Sequence, residues 1–168
     1  MFNIKNDTKY MEIVGNILNN NEFNKIDEIE HHGISRLDHS LKVSYYSYKI
    51  AKALKLNYYS VARGGLLHDF FLCDNDRSDK EKFVDTFTHP KRALKKASET
   101  FELNDMEKDI IVTHMFPFYT SIPKYSESWL VDLTDKIIGT YEFLCQYSNA
   151  LNNAVNYLYL FVLLNIVK

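Results

Sequence analysis

Cysteine is scarce. The two present, Cys73 and Cys145, are too few and too far apart for a disulfide framework or a thiolate zinc motif, which suits a reducing, cytoplasmic setting. Proline and glycine are also rare, at three and five residues, so little punctuates the chain and long regular elements are expected. Neither charge sign dominates: 20 Lys and Arg face 22 Asp and Glu. A net charge of -2 gives no general reason to bind nucleic acid or an anionic membrane. Long apolar runs are missing too. The longest, Tyr157 to Leu164, falls far short of the roughly 20 residues a helix needs to span a bilayer. That segment reads as a buried terminal helix, with a homodimer interface as the next reading. The N-terminal stretch "MFNIKNDTKYMEIVGNIL" is too polar for a signal peptide.

What remains is helical periodicity. No period-2 pattern of useful length is present, so the fold class is all-α, a single domain over 1–168. Helices are predicted near 7–20, 22–30, 36–55, 58–71, 90–101, 104–115, 126–145 and 149–166, the last packing on the others. The connecting loops are marked by Asn, Asp or Pro, and the longest, 72–88 and 116–125, flank histidines.

Those histidines carry the chemistry. His39 shares a helix face with Val43, Tyr46 and Ile50, which points it inward. His68 lies on the face of Val61, Gly64 and Gly65. Two helical glycines cost roughly 1 kcal/mol each relative to Ala, but they let a neighbouring helix approach closely and would bring His68 near His39. Asp69 follows directly. His114 ends its helix on the face of Ile110 and Ile111, and His89 precedes Pro90 as a cap residue at a helix start. Asp135 points inward with Val131 and Ile138. Asp132, paired at i+4 with Lys136, reads as a solvated salt bridge and is the fallback carboxylate.

Four inward imidazoles and two inward carboxylates exceed a structural zinc site, which needs four ligands and usually includes Cys. They suit two divalent transition metal ions bridged by one carboxylate, for which Asp69 is the natural choice. Nitrogen-rich ligands favour Fe, Mn, Zn, Co or Ni over Mg.

The ordered set "RLDHS", "GLLHDF", "THP", "VTHM" and "LTDK" resembles the HD-domain superfamily over about residues 30–145, whose signature maps onto His39, His68, Asp69 and Asp135. The resemblance implies an all-helical fold and metal-dependent phosphohydrolase activity, most often on nucleotides or other phosphate esters. His89 and His114 match the two additional histidines of the binuclear branch. Two ions, iron or manganese first, are therefore expected at His39, His68, Asp69, His89, His114 and Asp135. The sequence departs from many relatives after the His-Asp pair, where Phe70, Phe71, Leu72 and Cys73 stand in place of Ile-Gly or a nearby Lys. It also lacks the Gly-Tyr-Pro extension of the cyclic-dinucleotide enzymes.

Asp69 and Arg36 are the residues expected to serve catalysis, with water activated on the two metals as the nucleophile. Arg36, one turn before His39, could grip a phosphate bidentately or simply form a helix-start salt bridge. Lys124, Lys136 and His32 are the other candidate substrate contacts, although an exposed turn at His31-His32-Gly33 reads as well. The loop carrying Phe116, Phe118, Tyr119 and Tyr125 offers either core packing or an aromatic wall for a nucleotide base. Two alternatives use the same residues: a diiron oxygenase and a non-catalytic nucleotide- or metal-binding module.

Overall fold

A computed structural model describes residues 4–31, 34–72, 79–118 and 121–166, with side chains omitted for residues 5, 30, 31, 79–88 and 149–166. The described chain is almost wholly helical: α1 (Thr8–Leu18), α2 (Asn21–Asn24), α3 (Arg36–Ala53), α4 (Tyr58–Leu67), α5 (Asp79–Thr100), α6 (Asp105–Thr113) and α7 (Ser126–Ile166). Among the described residues no helix is long and apolar enough to cross a membrane.

Asn and Asp do open these helices, for a local reason. Their short side chains accept from the backbone N–H groups that a first turn leaves unpaired. Asp7, Asn57 and Asn104 cap α1, α4 and α6, and Asn104 completes a capping box with Glu107. Ser35 does the same for α3, accepting from Asp38 N at 3.1 Å.

Four expectations need correcting. The helix predicted over 22–30 is the single turn of α2, a 3-10 turn at Lys25–Glu28, and then β1 (Glu30–His31), which pairs antiparallel with β2 (Ile34–Ser35). The chain is too short there for a helix to gain from packing. The segment 79–88, read as part of an Asn- and Asp-marked loop, forms the first half of α5, because Lys and Glu are good helix formers. Pro90 therefore lies inside α5, and His89 is not at a helix start. Finally, the break drawn at 146–148 is absent: with no Gly or Pro after Gly139, α7 runs unbroken for 41 residues. How residues 149–166 pack lies outside the described side chains.

The core forms around α3 and α4. One apolar cluster gathers Tyr10, Ile17, Phe23, Tyr48, Leu66, Phe70 and Ile111; a second joins Val43, Val61 and Ile110 to Val131 and Ile138 of α7. The two glycines of α4 set the helix spacing. A Cβ on Gly65 would stand 3.1 Å from the Ser44 Cα of α3, and one on Gly64 would stand 2.9 Å from the Ile110 side chain of α6. Close approach on both sides brings the His39 and His68 rings to 5.5 Å between centroids.

Candidate metal centre

Six side chains converge where α3, α5 and α7 pass the C-terminal ends of α4 and α6. They form two trios, His39 with His68 and Asp135, and Asp69 with His89 and His114, each with donor atoms within 4.8 Å of one another. Asp135, on the inward face with Val131 and Ile138, is in the first trio. Asp132 is in neither.

In the first trio His39 Nε2 lies 2.9 Å and His68 Nε2 3.5 Å from Asp135 Oδ1. In the second, His89 Nε2 and His114 Nε2 face each other at 2.8 Å, and Asp69 Oδ1 stands 3.3 and 3.6 Å from them. The other oxygen of Asp69, Oδ2, is 3.9 Å from His68 Nε2. Asp69 thus presents one oxygen to each trio, which is possible because it sits in the turn just beyond α4, immediately after His68.

The far ring nitrogens are occupied by fixed acceptors. His68 Nδ1 donates to Gly65 O and His114 Nδ1 to Ile111 O, both at 2.7 Å. His39 Nδ1 donates to Glu142 Oε2, also at 2.7 Å. Each bond turns Nε2 toward the centre, as outer partners of metal-bound imidazoles do. Glu142 is in turn held by Lys42 at 2.8 Å. The sequence reading missed Glu142. The available signal was its position one helical repeat, i+7, after Asp135.

Burial and charge pull against each other here. Burial acts to lower the pKa of His39, but its hydrogen bonds to Asp135 and Glu142 outweigh that and raise it to about 10. Burial lowers His114 to about 3, helped by the neighbouring His68 and His89 rings, so this imidazole is neutral at ordinary pH. Burial would raise the carboxyls of Asp69 and Asp135, yet the facing imidazoles hold both well below the usual range.

Do these residues fit metal ions? Two buried atoms, His68 Nε2 and Asp69 Oδ1, have no hydrogen-bond partner. An unsatisfied buried polar atom costs about 1–3 kcal/mol, and here two sit among anions and lone pairs directed at common points. A divalent cation at each trio would satisfy both. Imidazole nitrogens with carboxylate oxygens are the donor set of the first-row transition metals. The donors fit. Asp135 and His89, at 15% and 12% side-chain exposure, are the two members open to solvent, so the mouth lies between α7 and α5.

A family model for the HD domain matches residues 36–140, more than half of the chain. The chain belongs to the HD-domain family. That span contains all six converging residues, and the HD domain is the hallmark of a superfamily of metal-dependent phosphohydrolases. No curated protein and no solved structure matches the chain.

The remaining predicted site residues are placed as follows. Arg36 is buried, with Nη1 donating to Phe71 O at 2.7 Å and its guanidinium 3.9 Å from the Phe71 ring centroid. Phe71 stacks on His89 at 5.2 Å, so Arg36 backs the ring that backs a member of the second trio. Lys136 is spent within the HD fold: it pairs with Asp132 and donates to His114 O at 3.3 Å. Asp132 is buried rather than solvated, which corrects the surface salt bridge read from sequence; the pair ties α7 to the end of α6. Lys124 has an exposed side chain, and its backbone N–H donates to Asp109 Oδ2. Asp109, another residue the sequence reading missed, also accepts from Ser128 Oγ at 2.7 Å and so fixes where α7 begins. Phe116 packs edge-on against Trp129, and Phe118 is exposed. His32 and Tyr119 lie outside the described residues, as does the His31 side chain.

Proposed function

We propose that this HD-domain protein is a metal-dependent phosphohydrolase acting on a nucleotide or another phosphate ester. One observation carries the reading: Asp69 directs one carboxylate oxygen to each of two trios, in a pocket with two orphaned polar atoms. In this reading His39, His68 and Asp135 hold one divalent transition metal ion, His89 and His114 hold a second, and Asp69 joins them. Iron or manganese is the first choice, with zinc, cobalt and nickel as alternatives. Such a pair of ions, when bound, supplies positive charge to the phosphoryl oxygens and acidifies an attacking water.

The chain's own residues do the rest. Gly65 O, Ile111 O and Glu142 lock three imidazoles with Nε2 inward before any ligand arrives, which lowers the reorganisation needed at the reacting centre. Lys136 and Asp132 hold the end of α6, and with it His114, at a fixed distance from α7. The partly open edge at Asp135 and His89 is where a phosphate would enter. Arg36, Lys124, Lys136 and His32 are the residues proposed to contact it. Arg36 is already engaged by Phe71, so its contribution is to steady the Phe71–His89 stack as well as to add positive charge.

The test is metal content per chain on protein purified without chelator, followed by a panel of nucleotides and simple phosphoesters with oxygen uptake recorded in parallel. The proposal expects close to two ions and phosphate release without oxygen consumption. Metal-dependent oxygen uptake with no phosphate release would overturn it in favour of oxygenase chemistry. No metal after reconstitution would overturn it in favour of a binding module.

A further inference from the structure

The side of α7 that faces away from the metal centre poses a separate problem. Val131, Ile138 and Glu142 look into the domain. On the other side Trp129, Leu133, Ile137, Tyr141, Leu144 and Tyr147 are 44, 57, 61, 67, 57 and 63% exposed. At about 100° per residue, these six fall within roughly 120° of the helix circumference, centred opposite the domain-facing residues. Taking roughly 150–200 Å² for a large side chain, they show about 600 Å² of apolar surface to solvent. That lies at the upper limit of the patches that soluble monomers carry, about 300–600 Å².

The sequence extends the pattern along the same helix. The three-and-four spacing continues through Leu151, Val155, Leu158 and Val162. The positions that would continue the domain-facing side are Asn149, Asn152, Asn153 and Asn156. Over 149–156, then, the inner register turns polar while the outer register stays apolar. The exposed stripe from Trp129 to Tyr147 is about 27 Å long on a helix of 41 residues, and a straight apolar stripe on a long helix is matched best by another long helix with its own apolar stripe.

We propose that the outer stripe of α7 is a homodimer interface, on which the α7 of a second copy lies about a two-fold axis. Two stripes of about 600 Å² bury about 1,200 Å², the lower bound of stable specific interfaces. A two-fold pairing needs only self-complementary surfaces, and this one is apolar with no like charges to oppose. A membrane surface suits it less. Lys136 is the one cation of α7, against Glu127, Asp132, Asp135 and Glu142, whereas helices that lie on anionic lipid are rich in Lys and Arg. The inference is independent of the catalytic proposal, since the stripe and the metal centre lie on opposite sides of the helix.

Sedimentation equilibrium on the full chain over a wide concentration range, with Leu133→Glu/Ile137→Glu beside it, tests this. The wild-type protein is expected near twice 19.8 kDa, and the double variant near 19.8 kDa with unchanged far-ultraviolet circular dichroism and metal content. Because the double change could disturb folding, Tyr141→Glu alone provides a second reading, expected to raise the dimer dissociation constant by at least about tenfold. A wild-type protein that stays at single-chain mass throughout would overturn the proposal. So would folded variants that still dimerise, or a monomer that co-sediments with anionic vesicles.

Discussion

The two trios are built from similar side chains but held in different ways. In the first, His39 is clasped from both sides, by Asp135 at 2.9 Å and Glu142 at 2.7 Å, and its helices α3 and α4 are locked together through Gly65. Within this trio only His68 Nε2 is buried without a hydrogen-bond partner; His39 and Asp135 already satisfy each other. In the second, two imidazole nitrogens face each other at 2.8 Å with room for one proton between them, and the carboxylate oxygen beside them has no hydrogen-bond partner. The first trio owes its shape to the fold. The second is shaped for an occupant.

Removing the residue of the second trio that also faces the first should have the largest effect. Asp69→Ala takes the carboxylate from the second trio and the oxygen that faces His68 of the first, and leaves His68, His89 and His114 without a carboxylate between them. Metal content should fall to near zero, phosphate release should vanish, and helix content should persist. A variant that keeps both ions would show that Asp69 does not join the trios.

His114→Ala should separate them. It takes one nitrogen from the second trio and touches no hydrogen bond of the first, so metal content should halve rather than vanish. Loss of both ions would mean that the trios load together. The companion change Asp132→Asn, outside both trios, should leave metal content intact and loosen only the Lys136 clamp on His114.

Much of this architecture is legible in the sequence because helical spacing carries it. The inward faces of His39, His68, His114 and Asp135 follow from apolar neighbours three, four and seven residues away, and the glycine pair of α4 announces a close contact. Two kinds of information are not local and stayed hidden. Glu142 and Asp109 look like ordinary surface acids in sequence; only the packing of α7 on α3 and α6 brings them to His39 and to the Lys124–Ser128 corner. Helix limits failed where local signals conflict with context. Pro90 suggested a helix start, yet α5 continues through it, and the His-Asp motif ends α4 earlier than its apolar pattern does.

Glu142 gives a finer probe of the first trio. Glu142→Ala removes the acceptor that fixes His39 Nδ1 and frees Lys42, so affinity for the first ion should drop about 10–100-fold, the usual effect of losing an outer partner of a metal-bound imidazole. Glu142→Gln should fall between, since its carbonyl can still accept from His39 while its amide group opposes Lys42. Titration of the metal-free protein reads this directly, and the second ion's affinity should not move. A purely structural role would predict lost stability with both affinities unchanged.

The smallest effect is a change of slope, and it separates His114 of the second trio from His39 of the first on opposite limbs of the pH–stability curve. An unfolded histidine titrates near 6.5. His114, lowered to about 3 in the folded protein, binds fewer protons than the unfolded chain between those values, so stability falls as pH drops through that window. His39, raised to about 10, binds more protons than the unfolded chain from about 6.5 upward, so stability falls as pH rises toward 10. The depressed carboxyls of Asp69, Asp135 and Glu142 add to the acid limb below the ordinary carboxylate range. Metal-free protein should therefore be most stable near neutrality, with His114 and the carboxyls governing the acid side and His39 the alkaline side. His114→Ala should flatten only the acid limb, whereas Glu142→Gln should flatten the alkaline limb above pH 7 and also remove that carboxyl's share of the acid limb. Denaturant unfolding across pH measures both slopes. Saturating metal should also flatten the alkaline limb, because a cation displaces the extra proton of His39. An alkaline limb that persists in the metal-loaded protein would show that His39 Nε2 is not a ligand.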